Sequence, residues 1–419
     1  MSTLLATGPG GAGFYAPDGP YAFRRMAVSL VISTIACAGM WAVIVVLPAV
    51  QAEFGVDRAA ASLPYTVVML GVAFGTLVLG RMADRTGIAT PLIIAGVCLG
   101  VGFVLAGFAP TLVAFAAAHA LIGVGAGTGF GPMMADVSHW FVRRRGLAVV
   151  IVASGSYLAG ALWPLAMSET MPAIGWRGTY DALGVFIVAT VIPLSLLLRR
   201  RPGAEVMARA EEATRIARAD VGISSRLLII LLVVAGFSCC VAMAMPQVHL
   251  VAYCGDLGYG VARGAEMLSL MLFLGIASRI GSGFVADQIG SSATLLIGSF
   301  MQAVALVLYT YFDGLTSLFV VSALFGLFQG GIVPMYAIIC RELLPPREAG
   351  AKIGLVVAAT IFGMAFGGYG SGVIFDATHS YRMAFANGVL WNVLNLAVVG
   401  WLLWRRQRLS PAAVLAGNG

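Results

Sequence analysis

The sequence predicts an all-α membrane protein whose twelve transmembrane helices form two pseudo-symmetric six-helix halves. Composition gives the class: the 419 residues are 60% hydrophobic and 10% charged, with mean hydropathy +0.95, more apolar and less charged than a water-soluble domain. Apolar stretches long enough to cross the hydrocarbon, about 20 residues each, give the helix count. One nearly constant offset between landmarks in the two parts of the chain gives the halves.

The spans are placed in order at 26–50, 63–82, 89–109, 111–135, 146–168 and 179–198, then at 227–251, 266–286, 292–311, 315–340, 351–374 and 384–404, each ended by Gly, Pro or charge. Residues 1–25 are Gly- and Pro-rich without a basic-then-apolar leader pattern and are expected to form a flexible cytoplasmic tail. Residues 26–198 form the N-terminal half and 227–404 the C-terminal half. The polar segment 199–226 connects them, with an amphipathic charged middle expected to lie along the cytoplasmic face, and 405–419 form a second cytoplasmic tail.

Basic residues orient the chain, because Lys and Arg of short loops stay on the cytoplasmic side. With both termini cytoplasmic, that side holds Arg24, Arg25, Arg81, Arg85, the runs Arg143 to Arg145 and Arg199 to Arg201, the connector arginines and the arginines near 341–352 and 405–408. The other side keeps Arg58, Arg177, Arg263 and Arg382. A multi-pass protein of the inner (plasma) membrane follows. The same asymmetry accounts for the net charge of +7, and no basic stretch is interleaved with aromatics as a nucleic-acid surface requires. The six cysteines fall mostly inside spans without zinc-type spacing, so they read as packing residues; no metal or cofactor is expected. No nucleotide-binding loop or HExxH motif is present, which excludes an ATP-driven pump encoded in this chain alone.

Four pairs of landmarks carry the repeat. Glu53-Phe54-Gly55 matches Asp256-Leu257-Gly258, and the segment Gly80 to Gly87 (GRMADRTG) matches Gly283 to Gly290 (GFVADQIG), both at an offset of 203. Arg145-Gly146 matches Ala349-Gly350 and Trp176-Arg177 matches Tyr381-Arg382, at 204 and 205. Parallel six-helix halves place a substrate site near the bilayer midplane between them.

These motifs resemble a known family. GRMADRTG is similar to the loop after the second helix of the major facilitator superfamily, G-x-x-x-D-R-x-G. The run from Trp140 to Ala148, with Gly155, Gly160, Pro164 and Gly175-Trp176-Arg177, resembles the branch of monocarboxylate transporters and oxalate/formate antiporters, as do His249-Leu-Val before Asp256-Leu-Gly and Gly275-Ile-Ala-Ser-Arg279. The resemblance implies that the arginine of the eighth helix binds a substrate carboxylate. Two departures stand out. Gly275 occupies the place where proton-coupled relatives often carry aspartate, and the eleventh span lacks the second cation of oxalate/formate antiporters.

The residues have a chemistry of their own. Arg279 lies in an otherwise uncharged run from Leu268 to Val285, with Glu266 and Asp287 near the ends of the helix and no acid at the centre of another span. A cation at membrane depth costs roughly 2.5–3.5 kcal/mol on insertion scales and marks a functional site by default. A guanidinium also matches a carboxylate bidentately, so the missing counter-ion is expected to be a substrate anion. Trp41, Tyr65, Tyr157, Gln329 and Tyr336 are the candidate lining groups. His119 and His249 are proton-coupling candidates, since an ordinary imidazole titrates near 6.5; packing is the competing role for each. Asp84 and Arg85, with Arg144 and Asp287, are placed as a cytoplasmic gate that pairs across the halves and releases as they rock.

Together these features predict a secondary active transporter, not an enzyme, for a small monocarboxylate such as lactate or pyruvate. H⁺ symport by alternating access is expected, in a lipid bilayer, with a monomer as the functional unit. An organic-anion exchanger is the alternative. A drug/H⁺ exporter is disfavoured by Arg279, and a membrane-embedded enzyme or sensor by the lack of a catalytic cluster or output domain.

Overall fold

The computed structural model describes residues 18–129, 131–141, 145–200, 224–343 and 346–408, and these are helical with no strand among them. Eleven helical stretches are long and apolar enough to cross a membrane. One of them, Leu147–Leu196, has 50 residues, roughly 75 Å at 1.5 Å per residue against about 30 Å of hydrocarbon. It folds back at Gly175, where φ 72° and ψ 167° leave the helical region for one open to glycine. The eleven stretches therefore make twelve crossings, in two six-helix halves.

The first to fourth spans are Pro20–Phe54, Arg58–Thr86, Ala89–Gly107 and Leu112–Ser138, and the fifth and sixth flank Gly175. The seventh to twelfth are Ser225–Asp256, Val261–Ile289, Ser291–Tyr311, Leu315–Cys340, Lys352–Thr378 and Tyr381–Arg408. An even number of crossings puts the first and last described residues at one end of the bundle, the proximal end; the other end is distal. Local chemistry starts the helices. Asp57 accepts from the Ala60 N–H at 2.7 Å, Thr111 from the Ala114 N–H at 3.2 Å and Ser224 from the Leu227 N–H at 3.3 Å, each supplying a first-turn donor that has no partner within its helix.

Small residues let spans approach backbone to backbone. Gly71 and Gly75 face the backbone around Ala120 to Val124 of the fourth span, and Gly363 and Gly367 face Phe237 and Val241 of the seventh. Large apolar side chains such as Phe74, Phe284 and Leu390 lie exposed on the periphery, where hydrocarbon, not water, is the solvent.

The first span starts at Pro20, inside the stretch expected to be tail, and the correction has a cause. Arg25 is buried and gives a two-pronged ion pair to Asp136, both contacts 2.7 Å, so it anchors the first span to the fourth. The last span likewise runs to Arg408. The amphipathic middle expected for the connector lies outside the described residues.

The repeat appears as geometry with one break in its symmetry. In the N-terminal half, Glu53 closes its own half, accepting from Trp176 Nε1 at 2.7 Å and Arg177 Nη2 at 2.6 Å. Its counterpart Asp256 instead takes Arg58 of the other half.

Candidate functional site

Two interrupted helices build the centre of the site. The fifth span breaks after Ala153, and the tenth breaks at Gly330 and Gly331 between Gln329 and Ile332. A helix end leaves carbonyls without helical donors and carries the negative end of the backbone dipole. Both breaks point a carbonyl at one guanidinium: Arg279 donates from Nε to Gly330 O at 3.1 Å and from Nη1 to Ala153 O at 2.7 Å. Its charge also lies 4.2 Å from the centroid of the Tyr157 ring, an attractive cation–π placement. The tenth span can come this close because a Cβ at Gly330 would collide with the Gly275 backbone.

Arg279 is 3% exposed, and no carboxylate pairs with it among the described residues. Glu266 is held by Arg263 at 2.7 Å, and Asp287 is exposed at the proximal end of the eighth span. Carbonyl dipoles and a ring face thus hold a full positive charge at the seam, since Ala153 and Tyr157 belong to one half and Gly330 to the other. Such a centre can take an anion between the halves.

Of the other expected lining groups, Gln329 and Trp41 bond beside the two breaks. The Gln329 carbonyl oxygen accepts from Gln247 Nε2 at 2.7 Å beside the Gly330 break, and Trp41 donates to Ser156 O at 2.8 Å, next to Tyr157. Tyr65 is buried with its hydroxyl unpartnered and packs on Gly368 across the seam. Tyr336 turns to the twelfth span, donating to Asn395 Oδ1 at 2.7 Å.

The two histidines differ. His119 packs inside the N-terminal half among Phe115, Trp176 and Tyr180, with Nδ1 2.7 Å from Phe115 O and Nε2 3.2 Å from Tyr180 Oη. Aromatic packing holds it within its own half, away from the seam. His249 is fully buried in the seventh span, with Nε2 2.8 Å from Gly368 O and Nδ1 without a partner.

Contacts across the seam seal the distal end. Arg58 is 6% exposed; it donates through Nη2 to both oxygens of Asp256 at 3.1 Å and through Nη1 to Tyr381 Oη at 2.7 Å. Asp376, near the end of the eleventh span, accepts the N–H groups of Arg58 and Ala59 at 2.9 and 2.6 Å, capping the second span from the opposite half. Thr66 donates to Ala365 O one step deeper. At the proximal end Asp84, Arg85 and Asp287 are exposed, and none joins an ion pair among the described residues. The expected gate partner Arg144 lies outside them. Asp84 instead lines a cleft of about 480 Å³ with Gly80, Gly87, Gly131 and Pro132.

Known proteins with this arrangement can now be compared. The chain matches the Major Facilitator Superfamily over residues 29–316 and 267–417. It belongs to that superfamily. Among superfamily members it is 26% identical to monocarboxylate transporter 13 of Bos taurus, over 76% of this chain and 75% of that one. It is 25% identical to an uncharacterized superfamily transporter, YcxA, of Bacillus subtilis, over 80% of this chain and 83% of that one. In fold it resembles the bacterial homologue of the human lysosomal transporter Spinster in its inward-facing and occupied conformation, with TM-score 0.67 at 14% identity over 93% of this chain and 96% of that one.

For a superfamily member, sequence reasoning missed the parts that act through the backbone or across the halves. Gln-Gly-Gly at 329–331 was the available sign that the tenth helix breaks. Arg58, Asp256 and Asp376 sit at span ends, where charge is ordinary, so nothing in the sequence marked them as partners.

Proposed function

We propose that the chain is a secondary active transporter of a small monocarboxylate, working by alternating access in the plasma membrane with both termini cytoplasmic. The observation that carries this reading is Arg279: a buried guanidinium at the seam of two halves, held by carbonyls and a ring but by no acid among the described residues. Removing the partner of a buried charge is costly, so a carboxylate that can take both prongs of the fork gains where water or a neutral solute does not. The name of the mammalian relative, a monocarboxylate transporter, supports the same class. A lone cation suits a monoanion better than a dianion.

The basic-residue asymmetry supports the assignment of the proximal end to the cytoplasm. On that assignment Arg58 closes the outer end, and exposure of Asp84, Arg85 and Asp287 at the cytoplasmic end supports an inward-open state. Rocking would separate Arg279 from Ala153 O, freeing Nη1 for a substrate oxygen, and closing the halves again would hold that anion between them. Carrying a lone anion inward against 100 mV, interior negative, costs about 2.3 kcal/mol, so accompanying H⁺ makes the cycle electroneutral. Exchange of one organic anion for another achieves the same balance and is the alternative.

A thermal-shift screen of the purified protein against some tens of carboxylates tests this, since a ligand that binds only the folded state raises apparent stability. Monocarboxylates should stabilise the wild type, and Arg279→Ala should not respond. Equal responses of the two proteins would end the assignment.

A further inference from the structure

We infer that His249 is the outward-facing proton acceptor of the transport cycle and that Arg58 controls when it can be charged. The inference rests on the transport reading above and adds to it a proton site and its control. The tautomer follows from chemistry. Nε2 faces Gly368 O at 2.8 Å, and a carbonyl can only accept, so Nε2 carries the hydrogen and Nδ1 bears the lone pair. That Nδ1 is buried without a hydrogen-bond partner, a costly state for a polar atom unless the site serves something else. His119 offers the contrast: both of its ring nitrogens lie within hydrogen-bond distance of partners, Phe115 O and Tyr180 Oη, so a further proton would disturb a satisfied group.

What covers His249 belongs to the movable seam. Gly368, its carbonyl partner, lies under the Tyr65 ring of the opposite half. Tyr381, whose ring centroid is 5.8 Å from that of His249, accepts a hydrogen bond from Arg58 at 2.7 Å. The titratable and charged groups on the surrounding elements are Arg58 and Tyr65 of the second span, Asp376 of the eleventh, Tyr381 of the twelfth, and the exposed Arg263 and Glu266 pair of the eighth. On its own helix they are Tyr253 and Asp256. Arg58 is the cation among them that reaches inward to Tyr381, and it comes from the other half. With the distal end closed, an imidazolium at 249 would stand near Arg58 without an acid of its own, because Asp256 is taken by Arg58 and Asp376 caps the second span.

Parting the distal ends carries Arg58 and Tyr65 away together and opens Nδ1 to external water. A hydronium ion then gives its proton to the Nδ1 lone pair, forming the N–H bond and leaving water. Closure brings the Arg58 charge back, weakens the hold of the imidazolium and returns the proton to water on the proximal side. The Tyr65 hydroxyl, buried and unpartnered, lies further inward on the second span. A proton is thus loaded in one state and released in the other, which is the requirement for coupling.

Two measurements on the full chain test this. In nanodiscs, the ¹⁵N imidazole signals of His249, assigned by their loss in His249→Gln, are titrated in the wild type and in Arg58→Gln. Removing the cation should raise the pH of half-protonation by at least one unit; superimposable titrations would overturn the inference. In proteoliposomes, entry of protons driven by external acetate or lactate is read with a pH dye in the lumen. His249→Gln, whose amide can still donate to Gly368 O, should lose at least tenfold of that flux while keeping counterflow of labelled lactate. Wild-type flux in His249→Gln overturns the inference. Absence of carboxylate counterflow in the wild type would count against the carboxylate reading instead, and the titration in nanodiscs, which needs no substrate, would still decide His249.

Discussion

At the scale of single residues, the candidate site depends on a charge that no carboxylate among the described residues neutralises. Arg279 keeps two carbonyls and a ring as partners, so its replacement removes the anion's partner and leaves the carbonyls to weak donors. Losing one side of a buried charged pair costs about 2–5 kcal/mol, at least about 30-fold in affinity. Arg279→Ala should therefore abolish measurable carboxylate binding by thermal shift, with insertion and monodispersity retained. Arg279→Lys keeps charge without the planar fork and should bind weakly. At Tyr157 the ring face lies against the charge. Tyr157→Phe should keep near-normal affinity while Tyr157→Leu loses about 0.5–2 kcal/mol, a split that isothermal titration would read. Arg279 was legible in the sequence because a cation inside an apolar run stands out whatever the fold does. His119 stood out equally, and its aromatic cage could be seen only in part: Phe115 lies one turn away on the same helix, but Tyr180 meets His119, and Trp176 meets Phe115, only after the fourth and sixth spans pack.

At the scale of elements, the spans themselves were legible because length and hydropathy are what a bilayer selects. Their interruptions were less so. The turn between the fifth and sixth spans falls at Gly175 alone, with helix continuing up to it, where the sequence reading expected a longer polar gap. The break in the tenth span at Gly330 and Gly331 decides the site, because it aims a helix-end carbonyl at Arg279. It also admits no side chain: a Cβ on Gly330 would meet the backbone of Gly275. Gly330→Ala should accordingly lower stability by about 1–3 kcal/mol, the usual cost of overpacking, and displace Gly330 O from Arg279. Thermal melting followed by intrinsic fluorescence would show the loss, and carboxylate affinity would fall with it. Gly354→Ala is the control, since nothing lies within reach of a Cβ at that position. If both variants melt alike, close approach is not what Gly330 provides.

At the scale of the whole molecule, a sealed distal end stands opposite a proposed proximal gate, and the repeat explains why they differ. The GRMADRTG segment and its echo both lie at the proximal end, so the sequence displayed that gate as a motif. The distal gate arises where the repeat is broken, with Asp256 diverted from its own half to Arg58, and a broken symmetry leaves no motif to find. The consequence is a pair of predictions with opposite signs. Asp84 is exposed and joins no ion pair among the described residues, so Asp84→Asn should weaken chiefly the proximally closed state, raising the proximally open population. Asp256→Asn removes the charged acceptor of Arg58 from the present state. Its carboxylate is 39% exposed, which screens part of the gain, so the loss should be about 1–2 kcal/mol, or five- to thirtyfold in the ratio of states. Spin-label distances across each end, taken in a variant whose six native cysteines are replaced, measure both. In a rocker the distal distance should lengthen in Asp256→Asn and shorten in Asp84→Asn, while the proximal distance should lengthen in Asp84→Asn and shorten in Asp256→Asn. The double variant separates a two-state rocker from two independent hinges. In a rocker the opposed shifts subtract and the populations return toward wild type; two free ends would instead open together, and alternating access would not describe this chain.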